Sequence, residues 1–339
     1  MRIAIAFLAL PAALALLALL AAWAITSVPG RSHRGALPPL EPAARDLAAR
    51  LRTHVAAIAS EEHNVIRAEA LERSARYIEG ELARSGGTEL SRSGRVARDE
   101  FSVAGVKVRN LEVVIPGGTA DAPVLVVGAH YDSVRHAVGA NDNGSGVAAL
   151  IELARSLREK PPGGAEIRLV AFVNEESPWF GTDAMGSLRH ARALARAGKR
   201  VLGMLSLETI GYYSDEPGSQ KYPPPFSSLY PGEGNFVGFV GNFKSRGFVR
   251  RVVASFRAHA AFPSEGAAFP DVIKDAGRSD HWAYWRHGWP GLMVTDTANF
   301  RYPFYHTPQD TPDKIDYERT ARVVRGLEAV IRDLASKPG

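Results

Sequence analysis

Residues 124–150 read VLVVGAHYDSVRHAVGANDNGSGVAAL, and no other stretch constrains the fold of this chain as strongly. Val124 to Val127 is an unbroken apolar run, the pattern of a strand covered on both faces in an α/β sheet, since a half-exposed strand would alternate. His130 and Asp132 follow at its carboxyl end, where open α/β sheets place their chemistry. Asp142 sits further on in Asn141-Asp142-Asn143-Gly144-Ser145-Gly146, a cluster too rich in turn formers for helix or strand. A helix is expected directly after it, with Val147, Leu150, Ile151, Ala154 and Leu157 as its buried stripe. A histidine and two carboxylates are thus presented on loops anchored by a strand on one side and a helix on the other.

The rest of the chain can supply the layers that such a strand needs. Its 339 residues, 45% of them hydrophobic, suit one large α/β domain as well as two smaller ones. The 41 basic and 36 acidic residues are spread along the chain without a basic block, so a solvated surface is expected and nucleic acid is not an expected partner. The absence of cysteine excludes disulfides, thiolate metal sites and a cysteine nucleophile. There is no internal repeat.

Ile3 to Ile25 carries no charge and is long enough to cross a bilayer as a helix. Residues 1–28 therefore read as a signal anchor, or as a signal peptide processed at Ala22-Trp23-Ala24. The expected location is a bacterial inner membrane with the rest of the chain in the periplasm or outside, or a secreted or periplasmic protein after cleavage. Residues 29–42, rich in Pro and Gly, read as a linker, and residues 43–337 as the folded domain.

Two helices are expected over residues 43–59 and from 60 or 61 to 84, the second stopped by Gly86. His54 and His63 on them read as packing or surface residues. Strands are expected over residues 99–103 and 106–116, as neighbours leading into the central one, and over 167–173, 201–207, 236–240 and 291–295. Helices are expected over 245–260 and 316–334. Residues 214–234, dense in Pro, Gly, Tyr and Ser, read as a long binding loop over the carboxyl edge of the sheet.

Three of these strands end in charge: at His130 and Asp132, at Glu175 and Glu176, and at Glu208. Tyr305-His306 joins them from a late loop. Taken singly, each has an ordinary explanation as a turn residue, a local hydrogen bond or solvated charge. Together, so many carboxylates on one edge would repel each other by about a kcal/mol or more per close pair unless cations neutralise them. Divalent metal is the economical explanation, and imidazole with carboxylate in place of thiolate suits zinc, with cobalt or manganese as alternatives.

The blocks GAHYDS, GANDNGSGVAALIELAR, NEES, LSLETIGYY, RSDH and YHTPQDTPDKI, in this order, resemble the M28-type zinc aminopeptidases over roughly Leu51 to Leu334. The resemblance implies an α/β fold with a mixed central sheet flanked by helices, of the zinc-dependent exopeptidase type, here preceded by an N-terminal hydrophobic helix. It further implies two Zn2+ ions, with His130 and Glu208 on the first, Glu176 and His306 on the second, and Asp142 bridging them. Glu175 would be the general base and Tyr305 a donor to the tetrahedral oxyanion; Asp132 would orient His130, Asp280 would be a supporting residue, and His281 would be structural. Many members carry Asp where this chain has Glu208, whose extra methylene lets the carboxylate reach further. The substrates implied are peptides with a free N-terminus; oligomeric state cannot be read. Two rivals share the fold: a glutaminyl cyclase-like acyltransferase with one zinc, and a non-catalytic ectodomain of peptidase ancestry. A serine hydrolase is disfavoured by the lack of a Gly-x-Ser-x-Gly elbow.

Overall fold

A computed structural model describes residues 14, 16–17, 19–84 and 96–336 of the chain. The expected stop at Gly86 and most of the apolar run over residues 3–25 lie outside these residues. Residues 19–26 are helical. The hydrophobic spanning helix expected there is not supported: among the described residues no helix is long and apolar enough to cross a membrane. Beyond it the chain is tied down rather than free, because Arg246, Arg250 and Arg257 donate to Ala24 O, Ser27 Oγ and Pro29 O at 2.9, 3.0 and 3.1 Å.

Helices α1 (Pro42–Ile58) and α2 (Ala68–Arg84) come first. The second starts later than its pattern suggests. Asn64 accepts from the Ile66 and Arg67 amides and caps a short 3-10 turn, Val65–Arg67, while the segment before it bonds to Ser133 through His63 and Asn64. Local capping and an anchor to a distant loop outweigh helix propensity at this point. His54 packs between helices, with Tyr77 and Glu152 on its two nitrogens, and His63 bonds to Glu61 O.

The strands β1 (Ala97–Val103), β2 (Val106–Ile115), β3 (Val124–His130), β4 (Glu166–Phe172) and β5 (Val201–Glu208) are followed by β6 (Val237–Asn242), β7 (Ser264–Phe269) and β8 (Gly291–Thr295). They form one mixed eight-stranded sheet in the order β1-β2-β4-β3-β5-β8-β6-β7. The strands β1 and β2 pair antiparallel, as the neighbours expected from sequence, and β2 pairs antiparallel with β4 and not with β3. Helix α3 (Gly146–Glu159) returns the chain from β3 so that β4 lies parallel beside it and fills that place. Helix α4 (Gly186–Arg196) makes the next crossover, and β5 lies parallel on the other side of β3.

The central position of β3 explains its unbroken apolar run. Leu125 and Val127 face the core formed with α1, α2, α3 and the last helix, α7 (Tyr317–Ser336), whereas Val124 and Val126 face a second core under α4 and the short α6 (His281–Trp285). Helix α5 (Arg246–His259) packs Phe248, Val252 and Phe256 on the first of these faces. Gly128 is required inside this strand: a Cβ there would stand 2.3 Å from the Phe172 ring. Strand β7, SEGAAF, and helix α4 were not expected from sequence.

Candidate metal centre

His130 is the last residue of β3, and its Nδ1 lies 3.1 Å from the Asp132 carbonyl oxygen, which turns Nε2 outward from the strand end. The Asp132 carboxylate is 3.7 Å from the same ring, and its main engagements are elsewhere: it accepts the amides of Glu175 and Glu176, each at 3.1 Å. It thereby fixes the turn after β4 against the end of β3. Asp142 is held by its own backbone. The Asn141 and Asp142 amides donate to the Asp310 carboxylate at 2.8 and 3.1 Å, and the Asn141 side chain bridges Asp296 and the Gly211 amide. Asn143 closes the turn on Leu207 O and on the amides of Gly146 and Thr209. Glu208 ends β5 and receives the Ser279 hydroxyl at 2.7 Å.

These supports bring the expected ligands together as two groups that share one member. His130 Nε2 lies 3.3 Å from Asp142 Oδ1 and 3.4 Å from Glu208 Oε2. His306 Nε2 lies 3.0 Å from Asp142 Oδ2 and 3.3 Å from Glu176 Oε1. His130, Asp142 and Glu208 have the spacing of one cation site, and Asp142, Glu176 and His306 that of another. Glu175 belongs to neither group, with its Oε2 3.8 Å from His130 Nε2. Tyr305 stacks on the His306 ring at 3.9 Å and lines the cavity beside the site.

The donor set passes a direct test of fit to metal. His130 Nε2, Asp142 Oδ2 and Glu176 Oε1 are buried yet make no hydrogen bond of acceptable geometry, although each has charged atoms close by. Buried polar atoms are ordinarily satisfied. Here the donor atoms of each group lie within 4.8 Å of one another, the spacing of ligands around a cation. Imidazole and carboxylate oxygens are donors of the kind zinc takes.

Electrostatics agree. Burial, and then the neighbouring Asp142, raise the Glu176 carboxyl to about 7. Burial also lifts Glu175 and Glu208, with the neighbouring carboxylates adding to it. Burial opposes charge on His306, but the carboxylates of Asp142 and Glu176 beside it raise it to about 10. Asp142, between two imidazoles, is lowered in spite of its burial. Cations would relieve the repulsion among these carboxylates.

Asp280 is fully buried beside this cluster, and among the described residues neither of its carboxylate oxygens has a hydrogen-bond partner. His281 bonds through Nε2 to Ala276 O and stands outside both ligand groups. Asp296, Asp310 and Ser279, which hold the ligands in place, were not singled out from sequence. Ser279 and Asp310 lie inside RSDH and YHTPQDTPDKI, which was the available signal.

Carboxylates and imidazoles gathered at the carboxyl edge of an α/β sheet are a donor set for divalent metal at the place where such sheets carry their chemistry. The chain belongs to peptidase family M28, whose family model matches residues 110–331. An uncharacterized Escherichia coli protein, YfbL, is 39% identical over 76% of this chain and 86% of its own length. The aminopeptidase YwaD of Bacillus subtilis is 29% identical, matching 63% of this chain and 42% of the relative, so the chain spans less than half of that protein. Among solved structures, BSAP, a zinc aminopeptidase from Bacillus subtilis, superposes with a TM-score of 0.53 at 26% identity, over 69% of this chain and 52% of that one. A glutaminyl cyclase from an Acidobacteriales bacterium superposes with a TM-score of 0.59 at 22% identity, over 90% and 99%, which is a likeness of fold alone.

Proposed function

We propose that this protein is a zinc aminopeptidase that removes N-terminal residues from peptides, with two zinc ions held by His130, Asp142, Glu176, Glu208 and His306. The observation that carries this reading is the pair of ligand groups sharing Asp142. Family membership and the aminopeptidase relatives support the same substrate class. Paired dications at these residues would acidify a water and polarise the scissile carbonyl. Glu175, next to the ligand Glu176 but outside both groups, takes the proton from that water and delivers it to the leaving amine. The Tyr305 hydroxyl donates to the oxyanion. Asp132 keeps Glu175 and Glu176 in register with His130. The surplus of carboxylates attracts the free α-amino group of the substrate.

The test is bound zinc per chain, followed by hydrolysis of a panel of aminoacyl amides beside cyclisation of an N-terminal glutamine peptide. Two zinc ions and amide hydrolysis lost in Glu175→Gln support the reading. Pyroglutamate formation without hydrolysis selects the cyclase-like alternative, and activity unchanged in Glu175→Gln removes the assigned base.

A further inference from the structure

Beside the metal centre lies a cavity of about 150 Å³, bordered at one end by Glu208 and Tyr305. Its floor is a row of the sheet read across four strands. Glu208 on β5 pairs with Thr295 on β8, Thr295 with Gly238 on β6, and Gly238 with Glu265 on β7. Residues paired in register project to the same face, so Glu208 and Glu265 stand at the two ends of one row, three strand spacings or about 14 Å apart. Gly238 removes the side chain that would interrupt it, leaving a channel from the metal ligand to the second carboxylate.

The walls are aromatic. Tyr222 stacks on Tyr230 at 5.7 Å, and Phe226 meets Phe269 edge-on at 5.1 Å. Both tyrosine hydroxyls are committed to backbone carbonyls, Tyr222 to Pro231 O and Tyr230 to Gly266 O. The tyrosines thus offer the cavity their ring faces and not their hydroxyls. Of the other charged lining residues, Asp275 and Arg278 pair with each other at 3.4 Å.

Glu265 is left underpaired. Among the described residues no hydrogen-bond donor meets its carboxylate, and Arg257 Nη2 stands 3.8 Å away. That guanidinium is already committed to Ser264 Oγ and to the carbonyls of Pro29, Gly30 and Ser264. Burial raises the Glu265 carboxyl above its usual range, against the pull of Arg257 and Arg34.

Resting on the aminopeptidase reading above, we propose that this cavity receives the side chain of an N-terminal lysine or arginine, with Glu265 as the carboxylate that meets its cationic head. The aliphatic stem lies along the aromatic walls, the charge gains from the ring faces, and the length of the channel favours the longest cationic side chains.

The test uses the zinc-loaded full chain and two readouts. The first is kcat/KM on lysyl, arginyl, leucyl and methionyl p-nitroanilides. The second, independent of turnover, is calorimetric binding of free lysine against norleucine, which keeps the stem and lacks the ammonium. Wild type is expected to favour the cationic member of each comparison, and Glu265→Gln to reduce the ratio of lysyl to leucyl kcat/KM, and of lysine to norleucine affinity, about tenfold or more. Norleucine binding as tightly as lysine, or a preference unchanged in Glu265→Gln, overturns the proposal. Should Glu265→Gln fail to melt cooperatively, Glu265→Asp keeps the charge and shortens its reach: a partial loss of preference supports the assignment, and an undiminished one overturns it. If no aminoacyl substrate is hydrolysed, the aminopeptidase reading fails by itself, while lysine-over-norleucine binding still decides the role of Glu265.

Discussion

Two buried clusters of histidine and glutamate lie against the same sheet and are built to opposite ends. On one face, His190 of α4 contacts Tyr284 Oη with Nδ1 at 2.7 Å and Glu112 with Nε2 at 3.1 Å, and Arg168 donates to the same Glu112 at 3.2 Å. Both ring nitrogens are satisfied, and the cluster ties β2, β4, α4 and α6 together. At the carboxyl edge, His130 and His306 approach three carboxylates without making proper hydrogen bonds. Similar residue types thus give a closed network in one place and an open coordination set in the other. The difference is geometric: in the first the donors point at their acceptors, and in the second ring nitrogens and carboxylate oxygens stand 3.0 to 3.4 Å apart without hydrogen-bond geometry. Residue type alone does not distinguish the two; position does, because Glu176 follows the end of a strand and His306 lies in a late loop, whereas Glu112 is inside β2 and His190 inside α4.

The comparison can be broken in several ways, and the largest effect is expected at Glu175. Replacement by Gln should lower kcat by about 10²- to 10⁴-fold with zinc content and melting temperature unchanged, measured by steady-state kinetics beside elemental analysis. Loss of zinc in that variant would place Glu175 among the ligands. In the closed cluster, Glu112→Ala should destabilise the protein by about 3 kcal/mol, seen as a lower urea midpoint, with zinc stoichiometry retained. A fall in zinc content there would mean that the two clusters are not separable.

A smaller effect is expected from Asp132→Asn, which weakens the hold on both the Glu175 and Glu176 amides. Zinc affinity should drop by about 10- to 100-fold in a chelator competition, with the fold retained. The smallest effect is a slope with pH. In metal-stripped protein the Glu176 carboxyl is raised from 4.5 to about 7, so the native state holds a proton that the unfolded state has released. Stability from this source falls as pH rises from about 4.5 to 7, and His306, raised to about 10, continues the fall above 6.5. Glu112 runs the other way: burial opposes its charge, but His190 and Arg168 lower its carboxyl, so its contribution is present at neutral pH and lost on acidification. Thermal melts of apo and zinc-loaded protein between pH 5 and 8 should therefore diverge as pH rises. Parallel curves would contradict the open-set description.

How much of this was legible in the sequence depended on how local each signal was. The strand over Val124–His130, the turn at Asn141–Gly146 and the helix after it could be read because run, turn formers and stripe are contiguous. His130, Glu176 and Glu208 could be picked out as candidates because three strands end in acid or imidazole, and Asp142 and His306 because they lie in blocks that resemble the family's. What sequence hid was support from a distance. Asp296 meets Asn141 across 155 positions, Asp310 meets the Asp142 amide across 168, and Ser279 meets Glu208 across 71. Strand β7 was missed because Ser-Glu-Gly-Ala-Ala carries almost no strand preference, and it is a strand by virtue of pairing with β6. The start of α2 was misplaced because the anchor of Asn64 at Ser133 is a tertiary contact. The reading of residues 3–25 as a spanning helix rested on hydropathy alone, and the described part of that run does not support it.

The grip of the Asp132 carboxylate on two consecutive amides has a consequence for how this enzyme can change. In the proposed mechanism the residue that moves protons and the residue that retains a cation hang from a single bracket, one oxygen each. Any drift that re-aims one of them re-aims the other, so substitutions near this bracket should be accepted in pairs or not at all. Basicity and ion retention would then evolve as a single trait.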